Sequence, residues 1–241
     1  AVYGKEGFNR AIHNIENSPF RTKFSIDIGE MEGNLGIGCI SDFEPQPLIV
    51  HSHLGSFSIT TVGRINNKQD LIDWLIEETG AHFMSKSGGA VNSTELIGAI
   101  VGTGKDIVDG IRIAQEKIDG SATMIIMTDE GMYAARDRYG RTPLIIGKKD
   151  GAYCASSESF AFINIGYEFE RELGPGEVAF FTADSEKVVK EPNEEMKICT
   201  FLWSYFGYTT SIYESKNVVI FHYVSSQQYC SPLQFVAPFG T

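Results

Sequence analysis

"MYAARDRYGRTPLIIGKKDGAYCASSE", residues 132–158, decides how this chain folds. Two apolar runs, Met132 to Ala135 and Pro143 to Gly147, flank a charged turn from Arg136 to Arg141. A third run, Gly151 to Ala155, follows Lys148, Lys149 and Asp150. Short apolar runs bounded by polar turn residues read as strands. The stretch therefore predicts three antiparallel strands in a row. The turn admits two readings. Arg136, Asp137, Arg138 and Arg141 could grip an anionic ligand, or Arg136 could pair with Asp137 at a strand end and hold the hairpin. The second is favoured.

Working outward, "SATMIIM" (121–127) and "TPLIIG" (142–147) are nearly continuous apolar runs. Strands of that kind are covered on both faces. Upstream, "NNKQDLIDWLIEETG" has Leu71, Trp74, Leu75 and Glu78 at helical spacing, Asn67 to cap the start and Gly80 to stop it. This predicts a helix over 68–79. "VNSTELIGAIVGTG" predicts a second over 93–101, capped by Asn92 or Ser93. "KDIVDGIRIAQEKIDG" predicts a third over 106–118, with Asp106 as cap and Ile107, Ile111, Ala114 and Ile118 inward. A fourth is expected over 157–164. "PLIVHSHLGSFSITTVG" (47–63) reads as two strands turning at Leu54-Gly55, and "GEVAFFTAD" as a later strand. Strands, then helices, then strands is an α+β order. Two stacked antiparallel sheets with helices outside them would cover both faces. No element is assigned after Val218.

The chain of 241 residues suits one domain with a full core, or a domain and a tail. A formal net charge of −11 repels phosphate backbones, so nucleic acid is a poor partner. No apolar stretch is long enough to span a bilayer, and a membrane partner is not expected. Cys39, Cys154, Cys199 and Cys230 form no CxxC pair, so neither a disulfide framework nor a zinc knuckle is indicated. The start, "AVYGKEGFNR", lacks the order of a signal peptide, and the cytoplasm is the expected compartment.

Three other stretches carry residue types that could do chemistry. "GTGKD" (102–106) lacks the leading glycine and the hydroxyl residue of a phosphate loop and reads as a link between helices. His51 and His53 alternate along a strand and share a face, which reads as a half-exposed strand rather than a metal site. Asp129, Glu130 and Gly131 form a turn. No metal and no cofactor are implied.

"AARDRYGRTPLIIG" resembles the A-R-D-x-x-G-x-R-P-L-x-x-G stretch of class II (N-terminal nucleophile) glutamine amidotransferase domains, with Thr142-Pro143 for Arg-Pro. Ser157-Glu158 and Pro175 to Val178 resemble the family's following S-E and P-G-E-V. Upstream, "GNLGIG" (33–38) matches G-x-x-G-I-G, "EPQP" (44–47) resembles N-A-Q-P, and "STE" (93–95) resembles the end of S-D-T-E. "CTFLWSYFGYTTSIYESKNV" (199–218) resembles the linker of amidophosphoribosyltransferases, which open purine synthesis.

The resemblance implies a four-layer αββα sandwich over 1–198, a linker over 199–218, and a tail over 219–241 with no assigned fold. It also implies where the pocket lies. The family grips the glutamine carboxylate with an arginine, and that slot holds Ser41. Its oxyanion hole comes from Asn-Gly, here Val62-Gly63. Its aspartate for the substrate amino group is replaced by Ser93. Its nucleophile is an N-terminal cysteine, whereas this chain begins Ala1-Val2. Ala1 aligns one strand and one helix late, so the leading strand is expected to be absent. That would leave an unpaired edge or apolar gap, with Val219, Ile220, Phe221 and Val224 placed to cover part of it. No catalytic residue is assigned. Ser41, Val62, Gly63 and Ser93 are the expected positions of a degenerate pocket, with glutamine or another small amide as a weak ligand. The expected role is binding, regulation or assembly, as a homo-oligomer or with another amidotransferase subunit. Two other readings stay open: a piece of an active amidophosphoribosyltransferase that hydrolyses glutamine to supply ammonia, and a hydrolase with another nucleophile, which Ala1 speaks against.

Overall fold

The computed structural model describes residues 1–42, 44–83, 90–199, 201 and 207–221. Strands β1 (Val2–Gly4), β2 (Gly7–Asn9) and β3 (Leu35–Gly36) form a small sheet in the order β2-β1-β3, with helix α1 (Phe20–Glu30) between its last two strands in sequence. Strands β4 (Leu48–Ser52) and β5 (Gly55–Ile65) form the predicted hairpin. Three helices follow: α2 (Lys68–Thr79), α3 (Ser93–Val101) and α4 (Ile107–Lys117). The rest comprises β6 (Gly120–Met127), β7 (Met132–Ala135), β8 (Ile145–Lys149), β9 (Ala152–Ser156), α5 (Phe160–Ile165), β10 (Glu168–Glu172), β11 (Val178–Phe181) and β12 (Glu186–Lys190). A terminal hairpin, β13 (Ile212–Tyr213) and β14 (Lys216–Asn217), contributes the last two strands.

The main sheet has six strands in the order β12-β11-β7-β6-β5-β4, and a second has three in the order β10-β8-β9. Their ladders are antiparallel. Because successive strand residues point to opposite faces, each continuous apolar run feeds two cores. In β6, Met124 and Ile126 meet the helices α2, α3 and α4, while Ile125 and Met127 face the second sheet. In β8, Ile146 joins the core between the sheets and Ile145 joins a third cluster with Phe162 of α5, Tyr213 and Val218. The layers are therefore helices, sheet, sheet, then α5 with the terminal hairpin. This is the expected αββα sandwich. Ala1, Tyr3, Phe8 and Leu35 of the small sheet pack on the middle core.

Local signals hold where the chain talks to itself. Asn92 accepts from the backbone N–H groups of Thr94 and Glu95, Asp106 accepts from that of Asp109, and Gly80 ends α2 at φ 68°. Ile107, Ile111, Ala114 and Ile118 are buried as expected.

Five expectations need correction. The stretch 132–158 is not three strands in a row. β7 pairs with β6 and β11 in the main sheet, whereas β8 pairs with β9 and β10 in the other. Residues 136–144 cross from one sheet to the other. Arg136 and Asp137 do not pair with each other. Asp137 accepts from the N–H groups of Thr142 (2.8 Å) and Tyr139 (3.2 Å), closing the loop. The Arg136 guanidinium donates to the carbonyls of Thr142, Gly140 and Leu173. The role of both is structural, but through separate partners. Asn67 precedes α2, yet its side chain makes no cap bond; it bridges Lys117 O and Asp119 N at the end of α4. Helix α5 starts at Phe160 rather than 157 because β9 runs on to Ser156 and the Ser156 hydroxyl turns the chain by accepting from Glu158 N. His53 lies in the turn after β4, so it does not share a strand face with His51.

Candidate functional site

The expected pocket positions lie on three segments: the chain from Ile37 to Pro47, strand β5, and the start of α3. Side chains on β5 alternate. Phe57, Ile59 and Thr61 face the helices, and Thr61 Oγ1 lies 2.7 Å from Thr94 Oγ1 of α3. Thr60 and Val62 take the opposite face. Val62 is 47% exposed. An isopropyl group thus sits half in water where it can neither donate nor accept a hydrogen bond.

Gly63 follows at φ +152°, and a Cβ there would sit 2.0 Å from the carbonyl oxygen of Ser121. This is a position that only glycine fits. Gly63→Ala is expected to cost roughly 2 kcal/mol or more, in the range typical of forced backbone strain. Urea denaturation checks it: an unchanged midpoint would show that β5 and β6 separate easily at this point.

The segment 39–47 is stitched to both other parts. The Gln46 side-chain carbonyl accepts from Thr60 Oγ1 (2.9 Å) and Thr61 N (2.8 Å), and its amide donates to Thr61 O. Asn92 donates to Pro45 O. The Cys39 thiol lies beside Thr60, and burial pushes its pKa up, so it stays protonated at neutral pH and is a poor nucleophile. Ser41 is exposed and accepts from Glu44 N at 3.2 Å.

Glu44 and Lys68 are the members that sequence reasoning missed. The Glu44 carboxylate accepts from Ser93 N (2.9 Å to each oxygen) and from Ser93 Oγ (3.0 Å). The Lys68 ammonium, from the first residue of α2, donates to Val91 O and Ser93 Oγ and lies 3.7 Å from Glu44 Oε1. A carboxylate at a helix N-terminus is favourably placed. The structure thus joins Ser41 and Ser93 through Glu44, and ties the same segment to β5 two residues before Val62. The readable signal was paired: "EPQP" has Glu where the resembled motif has Asn, and "NSTE" has Ser where it has Asp. The negative charge absent at residue 93 stands at residue 44, and the chain's own ammonium neutralises it.

Two clefts of about 480 and 500 Å³ open elsewhere, along α4, β12 and residues 192–195, and none of the four positions lines them. Among the described residues no group of His, Cys, Asp or Glu could hold a metal ion, and no helix is long and apolar enough to cross a membrane.

The model of a family described as "Glutamine amidotransferase domain" matches residues 34–164, more than half of the chain. The chain belongs to that family. The match spans Ser41, Val62, Gly63 and Ser93, the 136–147 stretch and helices α2, α3 and α4. Curated relatives of this amidotransferase domain are amidophosphoribosyltransferases. One from Archaeoglobus fulgidus is 31% identical over 174 residues, covering 72% of this chain and 38% of its own length. A chloroplastic one from Arabidopsis thaliana is 32% identical over 183 residues, covering 72% of this chain and 31% of its own. The chain therefore spans about a third of the relatives' length. Among solved structures, the glutamine phosphoribosylpyrophosphate amidotransferase from B. subtilis, complexed with ADP and GMP, matches at a TM-score of 0.63 and 28% identity. That match covers 73% of this chain and 38% of the other. The amidotransferase fold expected from the motifs is the fold observed.

Proposed function

We propose that this glutamine amidotransferase-like domain, related to amidophosphoribosyltransferase, does not turn glutamine over and serves in binding, regulation or assembly. The observation that carries the reading is Val62. It offers a half-exposed apolar side chain beside Gly63, at the place where the family resemblance calls for an amide donor. Two neighbours support it. Ser41 offers a hydroxyl where a bidentate guanidinium would grip a carboxylate. Ser93 and Glu44 are engaged with Lys68, so an incoming amino group meets an ammonium already in place. Residues 1–198 would be the domain, 199–218 the linker and 219–241 a tail. Glutamine is the ligand class that family membership suggests, with a second copy or another amidotransferase subunit as partner. The cytoplasm is the compartment that fits such a role.

The competing reading is that the chain belongs to an active amidophosphoribosyltransferase of purine biosynthesis and releases ammonia from glutamine. Family membership itself favours it. Calorimetric titration with glutamine separates the two. A charged donor to a carboxylate contributes about 1.5–3 kcal/mol, roughly tenfold to a hundredfold in affinity, and Ser41 does not supply it. Binding weaker than millimolar is expected, and Ser41→Arg should tighten it. Saturable submillimolar binding by the unmodified chain would show that Ser41 does not weaken the grip on the carboxylate, and ammonia released from the bound glutamine would overturn the reading.

A further inference from the structure

The last described segment is fastened to the domain at both ends of its hairpin. At one end, Ser211 Oγ donates to Glu158 Oε2 at 2.6 Å and Ile212 N donates to Ser159 Oγ at 2.9 Å. Tyr213 and Val218 are buried against Ile145 and Phe162. At the other end, the turn residues Glu214 and Ser215 adopt positive φ, 48° and 61°, and aim the Glu214 side chain at Arg136. Arg136 Nη2 donates to Glu214 Oε1 at 2.6 Å, and Glu214 N donates to Glu172 Oε2 at 2.8 Å. Glu172 Oε1 is 3.5 Å from Arg136 Nη1. Arg136 is 2% exposed, Glu172 11% and Glu214 26%. The guanidinium of the 132–158 stretch thus holds two carboxylates from two elements, only one of which belongs to the sheets.

We propose that residues 207–217 form a strap with a proton-sensitive clasp, Arg136 with Glu172 and Glu214, so that the strap docks more tightly as pH falls. Two carboxylates share one cation in a water-poor site, which holds one negative charge too many when both are ionised. Burial, then the Glu214 charge, pushes Glu172 up to about 7. When the strap lifts, Glu214 leaves with it and water reaches Glu172, so both causes fade and the group returns toward the ordinary carboxylate range. The docked state therefore binds the proton more tightly. Its extra stability is fully present at low pH and is lost as pH rises through about 7. For a group moving from about 4.5 to about 7 on docking, linkage gives about a tenfold fall in the docking constant between pH 6 and pH 8. The other charged groups do not mask this. Among the described residues no further cation pairs with either carboxylate. Glu158 faces Ser211 and Tyr213, and burial raises the Tyr213 hydroxyl, which stays protonated throughout this range. The segment is also the one that resembles an interdomain linker, so the clasp would set how firmly the domain holds whatever the linker carries. The proposal does not depend on whether the pocket turns glutamine over.

Hydrogen–deuterium exchange of peptides covering 207–217, at pH 6, 7 and 8 and corrected for intrinsic rates, tests it in the full chain. Protection in the unmodified chain should fall about tenfold from pH 6 to pH 8. Glu172→Gln, a mimic of the protonated acid, should hold the strap at every pH. Glu214→Ala should weaken the pH dependence and lower protection, with the sheets still exchanging slowly. Protection that does not change with pH, or a Glu172→Gln chain that keeps the full pH dependence, would overturn the clasp.

Discussion

The unmodified chain is expected to release no ammonia from glutamine, and no single repair among Ser41→Arg, Val62→Asn and Ser93→Asp is expected to change that. Losing one oxyanion donor typically costs about a hundred- to a thousand-fold in rate. Losing a charged contact to the substrate carboxylate costs roughly another tenfold to hundredfold. Together these place turnover on the order of a thousand- to a hundred-thousand-fold below a working site. Groups that act as a unit are not additive, so restoring one leaves the others limiting. Ser93→Asp carries an added cost. It would put a second carboxylate beside Glu44, with Lys68 as their shared cation. It should therefore be made with Glu44→Asn, which moves the charge from one side of the contact to the other. A coupled ammonia assay on protein freed of host glutaminases reads the result. Glutamine-dependent ammonia from the unmodified chain would show that Val62 does not mark a dead site.

Arg136→Met is expected to destabilise the domain by about 3–5 kcal/mol, the cost of removing one partner from a buried ionic cluster. The substitution keeps much of the buried stem. It strands Glu172 and Glu214 and leaves the carbonyls of Thr142, Gly140 and Leu173 without their donor. The size of the loss should depend on pH. Glu172 already titrates near 7 with the guanidinium present, so without it the carboxyl is protonated over more of the range. Below about pH 6 Glu172 is neutral with or without the guanidinium and the penalty shrinks; as pH rises past about 7 the unmodified chain gains an ion pair that the variant cannot form, and the penalty grows. Urea denaturation at the two pH values checks both parts. A loss under about 1 kcal/mol would show that the carbonyls find water and that the arginine is not needed for folding.

Much of this architecture is written in short-range pattern. The helices over 68–79, 93–101 and 106–118 were legible because a 3.6-residue stripe and a working cap or stop lie within a dozen residues of one another. Asn92, Asp106 and Gly80 act where they stand. The double coverage of "SATMIIM" and "TPLIIG" was legible too, since an unbroken apolar run has no side to show to water, and Ile145 and Ile146 duly enter different cores. The expected pocket positions rest on motif order alone, because Ser41, Val62 and Ser93 are the unremarkable members of their stretches.

The sequence by itself determined the strands and helices between 47 and 165 and which of their faces are apolar, and it pointed, through the family resemblance, to Ser41, Val62, Gly63 and Ser93. The tertiary structure alone decided which hairpins share a sheet and which charges meet. Nothing in "MYAARDRYGRTPLIIG" says that the chain changes sheets between Ala135 and Ile145, because both halves have the same local pattern and each also pairs with its own sequence neighbour, β7 with β6 and β8 with β9. Arg136 finds Glu214 across 78 residues, and Glu44 finds Ser93 across 49. Periodicity and capping report on a turn or two of chain. A salt bridge between distant elements is fixed by how whole layers stack, and that is a sum over cores to which no single stretch of sequence holds the key.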